Sequence, residues 1–249
     1  MRYANILETI GNTPLIELNT FHLRPGVHIF AKLEGSNPSG SIKDRIARKM
    51  IEQAEAQHLL TSNSILLEPT SGNTGVALAL VAKMKGYPFT AVISDKGTQD
   101  KRRLLELYDA NIITSPGAAG SNGAIRLAQD VVQQDSRYVM LYQYGNAANA
   151  DAHYETTGEE IIKDMPDVDV FVAGLGTGGT LTGIGRRLKE YDSAIRVVAA
   201  EPVQGESIQG LRSLADGFVP PVLDQSVIDA RQLVSSHDAW MRTLQLKAQ

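Results

Sequence analysis

Short apolar runs alternate with longer stretches of helical period along most of the chain. Ile29–Leu33, Ile65–Leu67, Phe89–Ile93, Asn111–Thr114, Val139–Leu141, Val168–Ala173 and Ile195–Ala200 read as strands, being brief, apolar and bounded by turn residues. Between them, Ser41–Gln57 sets Ile42, Ile46, Met50 and Ala54 along one helical face, and Val76–Lys85 is dense in Ala, Leu and Val. Strand and helix in regular alternation predict an α/β fold with mainly parallel sheets flanked by helices. After Glu201 the alternation fades into GLRSLADGFVPPVLD and a short helical tail over Asp238–Gln249, a poor ending for a sheet. No repeat, low-complexity tract or long linker interrupts the pattern.

Composition narrows the chemistry. A chain of 249 residues with 43% hydrophobic content can fill one large core or two modest ones. The net charge of -4, with both signs interspersed, argues against nucleic-acid and membrane partners and for a small-molecule substrate. With no cysteine, disulfides, thiolate metal sites and a cysteine nucleophile are excluded. His22, His28, His58, His153 and His237 lack ligand spacing, so no metal is expected. The first residues lack a secretory pattern and no apolar window is long enough to span a bilayer, so a cytoplasmic location is expected.

Three segments between a strand or loop and a helix carry candidate chemistry. In Ser39–Arg45, Ser41 and Asp44 form a capping-box pattern that places Lys43 in the first helical turn. There the positive end of the helix dipole disfavours an ammonium and suits an amine that condenses with an aldehyde, although an isolated lysine is more often a solvated surface group. In Glu68–Gly75 (EPTSGNTG) a glycine-containing turn at a helix start, with hydroxyls from Thr70, Ser71 and Thr74, makes a cradle for a carboxylate. Asn73 is equally a helix cap or an amide for a phenolic oxygen. In Gly174–Thr180 (GLGTGGT), glycines permit close approach of an anion, and Thr177 and Thr180 favour a terminal phosphate monoester. The same segment satisfies the dinucleotide pattern through Gly174, Gly176 and Gly179, with Glu201 at the offset that reads a ribose. That makes an NAD-dependent oxidoreductase a competitor, weakened by how late in the chain the motif falls.

Together, IGNTPL at Ile10–Leu15, NPSGSIKDR at Asn37–Arg45, EPTSGNTG, GLGTGGTLTG at Gly174–Gly183 and YQYGNAANADAHYETTGE at Tyr142–Glu159 resemble the cysteine synthase family, pyridoxal-phosphate (PLP) enzymes of fold type II. The resemblance runs from Ile6 to about Val234. It implies two domains, each with a mainly parallel sheet: a small mobile domain at 36–145, and a large phosphate-binding domain made of 1–35 and 146–249. It implies that Lys43 holds PLP through an imine and is the catalytic base, that Asn73 contacts the 3-hydroxyl, and that Gly176, Thr177, Gly178, Gly179 and Thr180 bind the phosphate. Thr70, Ser71, Thr74 and Gln143 would receive the substrate carboxylate. The implied reaction is β-replacement of O-acetylserine or O-phosphoserine by sulfide, or by a sulfur-carrier protein, in a homodimer. The loop with Arg212 resembles that of mycobacterial-type enzymes preferring O-phosphoserine, whose phosphate a guanidinium would meet; locally, Arg212 is as readily a surface ion-pair partner. His153 is expected to pack or lie at the surface.

Two departures from the family stand out. SDKGTQDKRR at Ser94–Arg103 differs from the acidic, serine-containing segment usual there, and the glycine- and serine-rich turn near the pyridine nitrogen is not found, so the carboxyl-terminal segment is expected to be missing. The latter motivates an alternative, a catalytically weak PLP-binding scaffold or regulatory protein; another PLP β-elimination lyase, such as a serine dehydratase or a cystathionine β-synthase-like module, shares every motif.

Overall fold

A computed structural model describes residues 2–247 apart from 20, 22, 23, 71, 96 and 97, and the side chains of 119–121 are also outside the description. In chain order the elements are β1 (Leu15–Glu17), β2 (Phe30–Lys32), α1 (Lys43–Ala56), β3 (Ile65–Pro69), α2 (Asn73–Lys85), β4 (Phe89–Ser94), α3 (Gln99–Leu107), β5 (Asn111–Ser115), α4 (Gly120–Gln134), β6 (Tyr138–Met140), α5 (Ala147–Ala152), a π-helical turn His153–Gly158, α6 (Glu159–Asp164), β7 (Val170–Gly174), α7 (Gly179–Tyr191), β8 (Arg196–Pro202), β9 (Ala230–Val234) and α8 (Ser236–Leu246). They divide into two compact units, one of Met1–Ile10 with Asn37–Asn149, the other of Gly11–Ser36 with Ala150–Gln249.

The first unit is built on a four-stranded parallel sheet in the order β5-β4-β3-β6. Strands β3 and β4 are almost wholly buried, as expected of inner strands covered on both faces, and this is why they read as unbroken apolar runs. Helix α2 is buried from Thr74 to Ala82, so its apolar residues encircle it rather than forming a stripe. Helix α1 is amphipathic, burying Ile46, Met50 and Ala54. Leu67, Val92, Ala124 and Ala128 form a core where α4 lies on the sheet.

The second unit carries the parallel sheet β7-β8-β9 and the antiparallel pair β1-β2. Helix α7 packs Leu181, Ile184 and Leu188 with Leu175, Val197 and Ile195. Gly11 and Asn12 take φ of 90° and 48°, a left-handed pair that turns the chain into β1, and the Asn12 N–H donates to Glu160 at 2.9 Å. The motif IGNTPL therefore has a local structural role.

Two local readings are corrected. The segment after Glu201 does return to the sheet: β9 pairs with β8 from Ala230 against Val198 to Val234 against Pro202. Its three central residues are exposed, so no apolar alternation marked it. Asp44 does not close a box with Ser41; its carboxylate accepts from the Ser39 N–H at 2.7 Å and from the Ser39 hydroxyl, while Ser41 Oγ accepts from the Lys43 N–H at 3.2 Å. No helix among the described residues is long and apolar enough to cross a membrane.

Candidate active site

Lys43 is the first residue of α1 and is half-buried, held between a buried Ser41 and a fully buried Asp44. The backbone leading into the helix is fixed by the Asp44 bonds to Ser39, which sets where the Lys43 backbone enters α1.

The turn after β3 lies in the same unit. Thr70 is 8% exposed; its N–H donates to Val92 O at 3.0 Å and its hydroxyl accepts from the Gly72 N–H at 3.3 Å. A Cβ on Gly75 would lie 2.8 Å from Thr70 Cγ2, so a glycine there lets the threonine sit against the helix. Ser71 lies outside the described residues. Gly72 is the N-cap of α2 and Asn73 its first residue, so Asn73 is not the helix cap. Its Oδ1 instead accepts from Lys101 Nζ, a partner on α3 within the divergent SDKGTQDKRR segment. That orientation leaves the amide N–H₂ to serve as the donor to a second group.

Gln143 is 4% exposed, and its Oε1 accepts from the Thr74 hydroxyl at 2.8 Å. The turn that carries it is pinned by side chains. Glu68, fully buried at the end of β3, accepts from the Tyr142 N–H at 2.7 Å and the Gln143 N–H at 3.0 Å, and Asn149 Nδ2 donates to Gln143 O at 2.7 Å. Tyr142 is left-handed, with φ of 55°. Burial pushes the Glu68 carboxyl up from 4.5 to about 7, against the opposing pull of hydrogen bonds from Gln143 and Tyr142. Of the residues the sequence reading grouped, Thr74 is bonded to Gln143 and Thr70 lies against Gly75 at the same helix start; the reading assigned Glu68 no role.

The glycine-rich loop of the second unit runs from β7 into α7. Gly178 is left-handed, with φ of 92°. Added Cβ atoms would strike Leu211 Cδ2 at 2.5 Å from Gly174, Gly210 O at 2.8 Å from Gly176 and Leu223 Cβ at 2.7 Å from Gly178. Three of the glycines thus answer to protein packed behind the loop, whose Gly179 N–H donates to Thr177 Oγ1 at 3.5 Å where the loop meets the first turn of α7, a place suited to an anion. Thr180 Oγ1 lies 3.2 Å from Nε2 of the fully buried His153, whose Nδ1 is 3.0 Å from Thr157 Oγ1. His153 is thus a packed residue that also braces a hydroxyl of the loop. The N–H of Arg212 donates to Leu175 O at 2.7 Å, and its guanidinium lies 5.0 Å from the centre of the Phe218 ring.

Glu201 is committed elsewhere. It is fully buried and accepts from Arg231 Nε and Nη2 at 2.5 and 2.7 Å and from the Leu214 N–H at 2.9 Å. Burial alone would raise its carboxyl, but the bonds from Arg231 and Leu214 outweigh it and hold the group below the usual range. A carboxylate so occupied does not read a ribose, and the dinucleotide alternative loses its acidic partner. A left-handed glycine before a helix start, with Thr177 and Thr180 beside it, suits a phosphate monoester such as that of PLP.

Comparison with known proteins agrees with these features. The profile of the pyridoxal-phosphate dependent enzyme family matches residues 6–243. A cysteine synthase of Flavobacterium sp. is 41% identical over 96% of this chain and 80% of its own length. A hydrogen sulfide-producing enzyme of Fusobacterium nucleatum has a crystal structure similar over the whole chain and 85% of its own, with a TM-score of 0.92 and 35% identity. O-acetylserine sulfhydrylase isoform 3 of Entamoeba histolytica matches with a TM-score of 0.92 and 33% identity, over the whole chain and 78% of its own. The chain belongs to the pyridoxal-phosphate dependent enzyme family and is a relative of the cysteine synthases.

Proposed function

We propose that the protein is a PLP-dependent cysteine synthase that replaces the activated β-oxygen of O-acetylserine or O-phosphoserine with sulfur. The observation that carries this reading is the match to a cysteine synthase at 41% identity over 96% of the chain, in which Lys43, Thr74 and Gln143 stand in one unit. Lys43 would hold the cofactor, Asn73 its ring hydroxyl, and Gly176, Thr177, Gly178, Gly179 and Thr180 its phosphate. Bound there, PLP supplies an electron sink for the α-carbon of an amino acid.

The chain's own groups do the rest. Thr70, Ser71, Thr74 and Gln143 receive the substrate carboxylate and so fix the direction of the Cα–H bond. The Lys43 amine, at the start of α1, would be the base that takes the α-proton. The 36–145 region is the part that moves to exclude water. Arg212, anchored by its backbone beside the glycine-rich loop, meets the leaving group, and a guanidinium favours a phosphate over an uncharged acetyl ester. A cytoplasmic homodimer using sulfide or a sulfur-carrier protein completes the reading.

The test is to supply the PLP-loaded protein with sulfide and either O-acetylserine or O-phosphoserine and to measure cysteine. Cysteine from at least one donor is the expected result. Pyruvate without cysteine would identify a β-elimination lyase, and neither product would identify a scaffold.

A further inference from the structure

Glu68 is a buried carboxylate that the reaction itself does not use. Its strand, β3, pairs with β6 only as far as Leu67 opposite Met140. Beyond that point the ladder ends in a last bond from the Leu141 N–H to Leu67 O at 3.2 Å, and the Glu68 side chain takes over the acceptor role, collecting the N–H groups of Tyr142 and Gln143. Those two bonds hold Tyr142 in its left-handed conformation, and the residue that follows is turned inward. Asn149 holds the Gln143 carbonyl from the other side, and Thr74 donates to Oε1 of its amide. The amide oxygen accepts from Thr74 while the amide N–H₂ lies toward Glu68, so the one carboxyl group orients both the backbone and the side chain of Gln143.

We propose that Glu68 is a positioning residue that, through the backbone of Tyr142 and Gln143, aims the Gln143 amide and its Thr74 partner at the carboxylate of an amino-acid substrate. This rests on the reading of Thr74 and Gln143 as the carboxylate-binding pair. Glu68→Gln keeps the size of the side chain but replaces one accepting oxygen with a donor that faces another donor, so the turn loses one of its two anchors.

The test uses PLP-loaded wild type, Glu68→Gln, Gln143→Ala and the double variant. Two readouts are taken: the preference for L-serine over ethanolamine, titrated by visible absorbance, and the separate KM values for O-acetylserine and sulfide with kcat. L-serine and ethanolamine differ only in the carboxylate. Glu68→Gln is expected to lower the preference and raise the O-acetylserine KM about tenfold each, the effect of a misplaced hydrogen bond to a charged group. The sulfide KM should stay unchanged. With Gln143 already alanine, the same substitution should change neither quantity. Equal losses in both backgrounds, no loss in either, or a wild type that prefers neither amine would overturn the proposal. A wild type that prefers L-serine through Glu68 yet makes no cysteine would sink the synthase reading and leave this one standing. Should Glu68→Gln not fold, Glu68→Asp, which draws the oxygens back by one methylene, is expected to show a smaller loss with the same dependence on Gln143.

Discussion

Gly183→Ala gives a prediction in which two physical effects have opposite sign. Gly183 lies within α7, where alanine is intrinsically favoured over glycine by about 1 kcal/mol. The added Cβ, however, would stand 2.1 Å from the carbonyl oxygen of Ala150 and 2.9 Å from both His153 Cβ and Tyr154 N. An ordinary carbon-to-oxygen contact is about 3.3 Å, so the helix must withdraw by about 1 Å from backbone that cannot rotate away. Overpacking of this kind costs about 3 kcal/mol, and the net loss is therefore about 2 kcal/mol. In urea the midpoint should fall by about 1 M with the slope unchanged. Gly185, two residues on, is the internal control: its Cβ would meet Val227 Cγ2 at 3.0 Å, a side chain that can shift, and Gly185→Ala should lie within about 0.5 kcal/mol of wild type. A Gly183→Ala midpoint at or above that of wild type would refute the reasoning. The same withdrawal moves His153 from Thr180, so PLP should also dissociate more readily from Gly183→Ala than from Gly185→Ala.

Glu68 makes a pH prediction. Because its folded carboxyl titrates at about 7 rather than 4.5, the folded protein keeps a proton that the unfolded chain has lost; this contribution is complete below 4.5 and is lost as the pH rises through 7. The span corresponds to about 3 kcal/mol, so the unfolding free energy of wild type relative to Glu68→Gln should fall by about that amount between pH 4.5 and 7 in urea titrations. A constant difference across the window would contradict it. For Arg212→Ala, kcat/KM with O-phosphoserine should fall about tenfold or more while the value with O-acetylserine changes less than twofold, since only the first has a charged leaving group for the guanidinium. Equal losses on both donors would remove Arg212 from leaving-group recognition.

Much of this was legible in the sequence because the inner elements are dominated by burial. Strands β3 and β4 and helix α2 are covered on all sides, and their composition says so directly. The loops that open α1, α2 and α7 announced themselves by glycines and hydroxyls at helix starts. What stayed hidden depends on partners distant in the chain. Glu68 sits inside a recognised motif, yet the N–H groups it holds are 74 and 75 residues away. Glu201 lay at the offset of a ribose reader until its pairing with Arg231 was visible. His153, read as packing or surface, is fully buried because Gly183 lets α7 close on it. Strand β1, three residues long, and the exposed β9 carry too little apolar signal to be read at all.

The central claim is that Lys43 carries the cofactor, and it has a direct chemical test. The PLP-loaded protein is reduced with borohydride, which fixes the imine as a secondary amine, and is then digested and mapped by mass spectrometry. A phosphopyridoxyl label confined to Lys43, and absent from Lys43→Ala, is the predicted result; a label on another lysine, or none at all, would contradict the account.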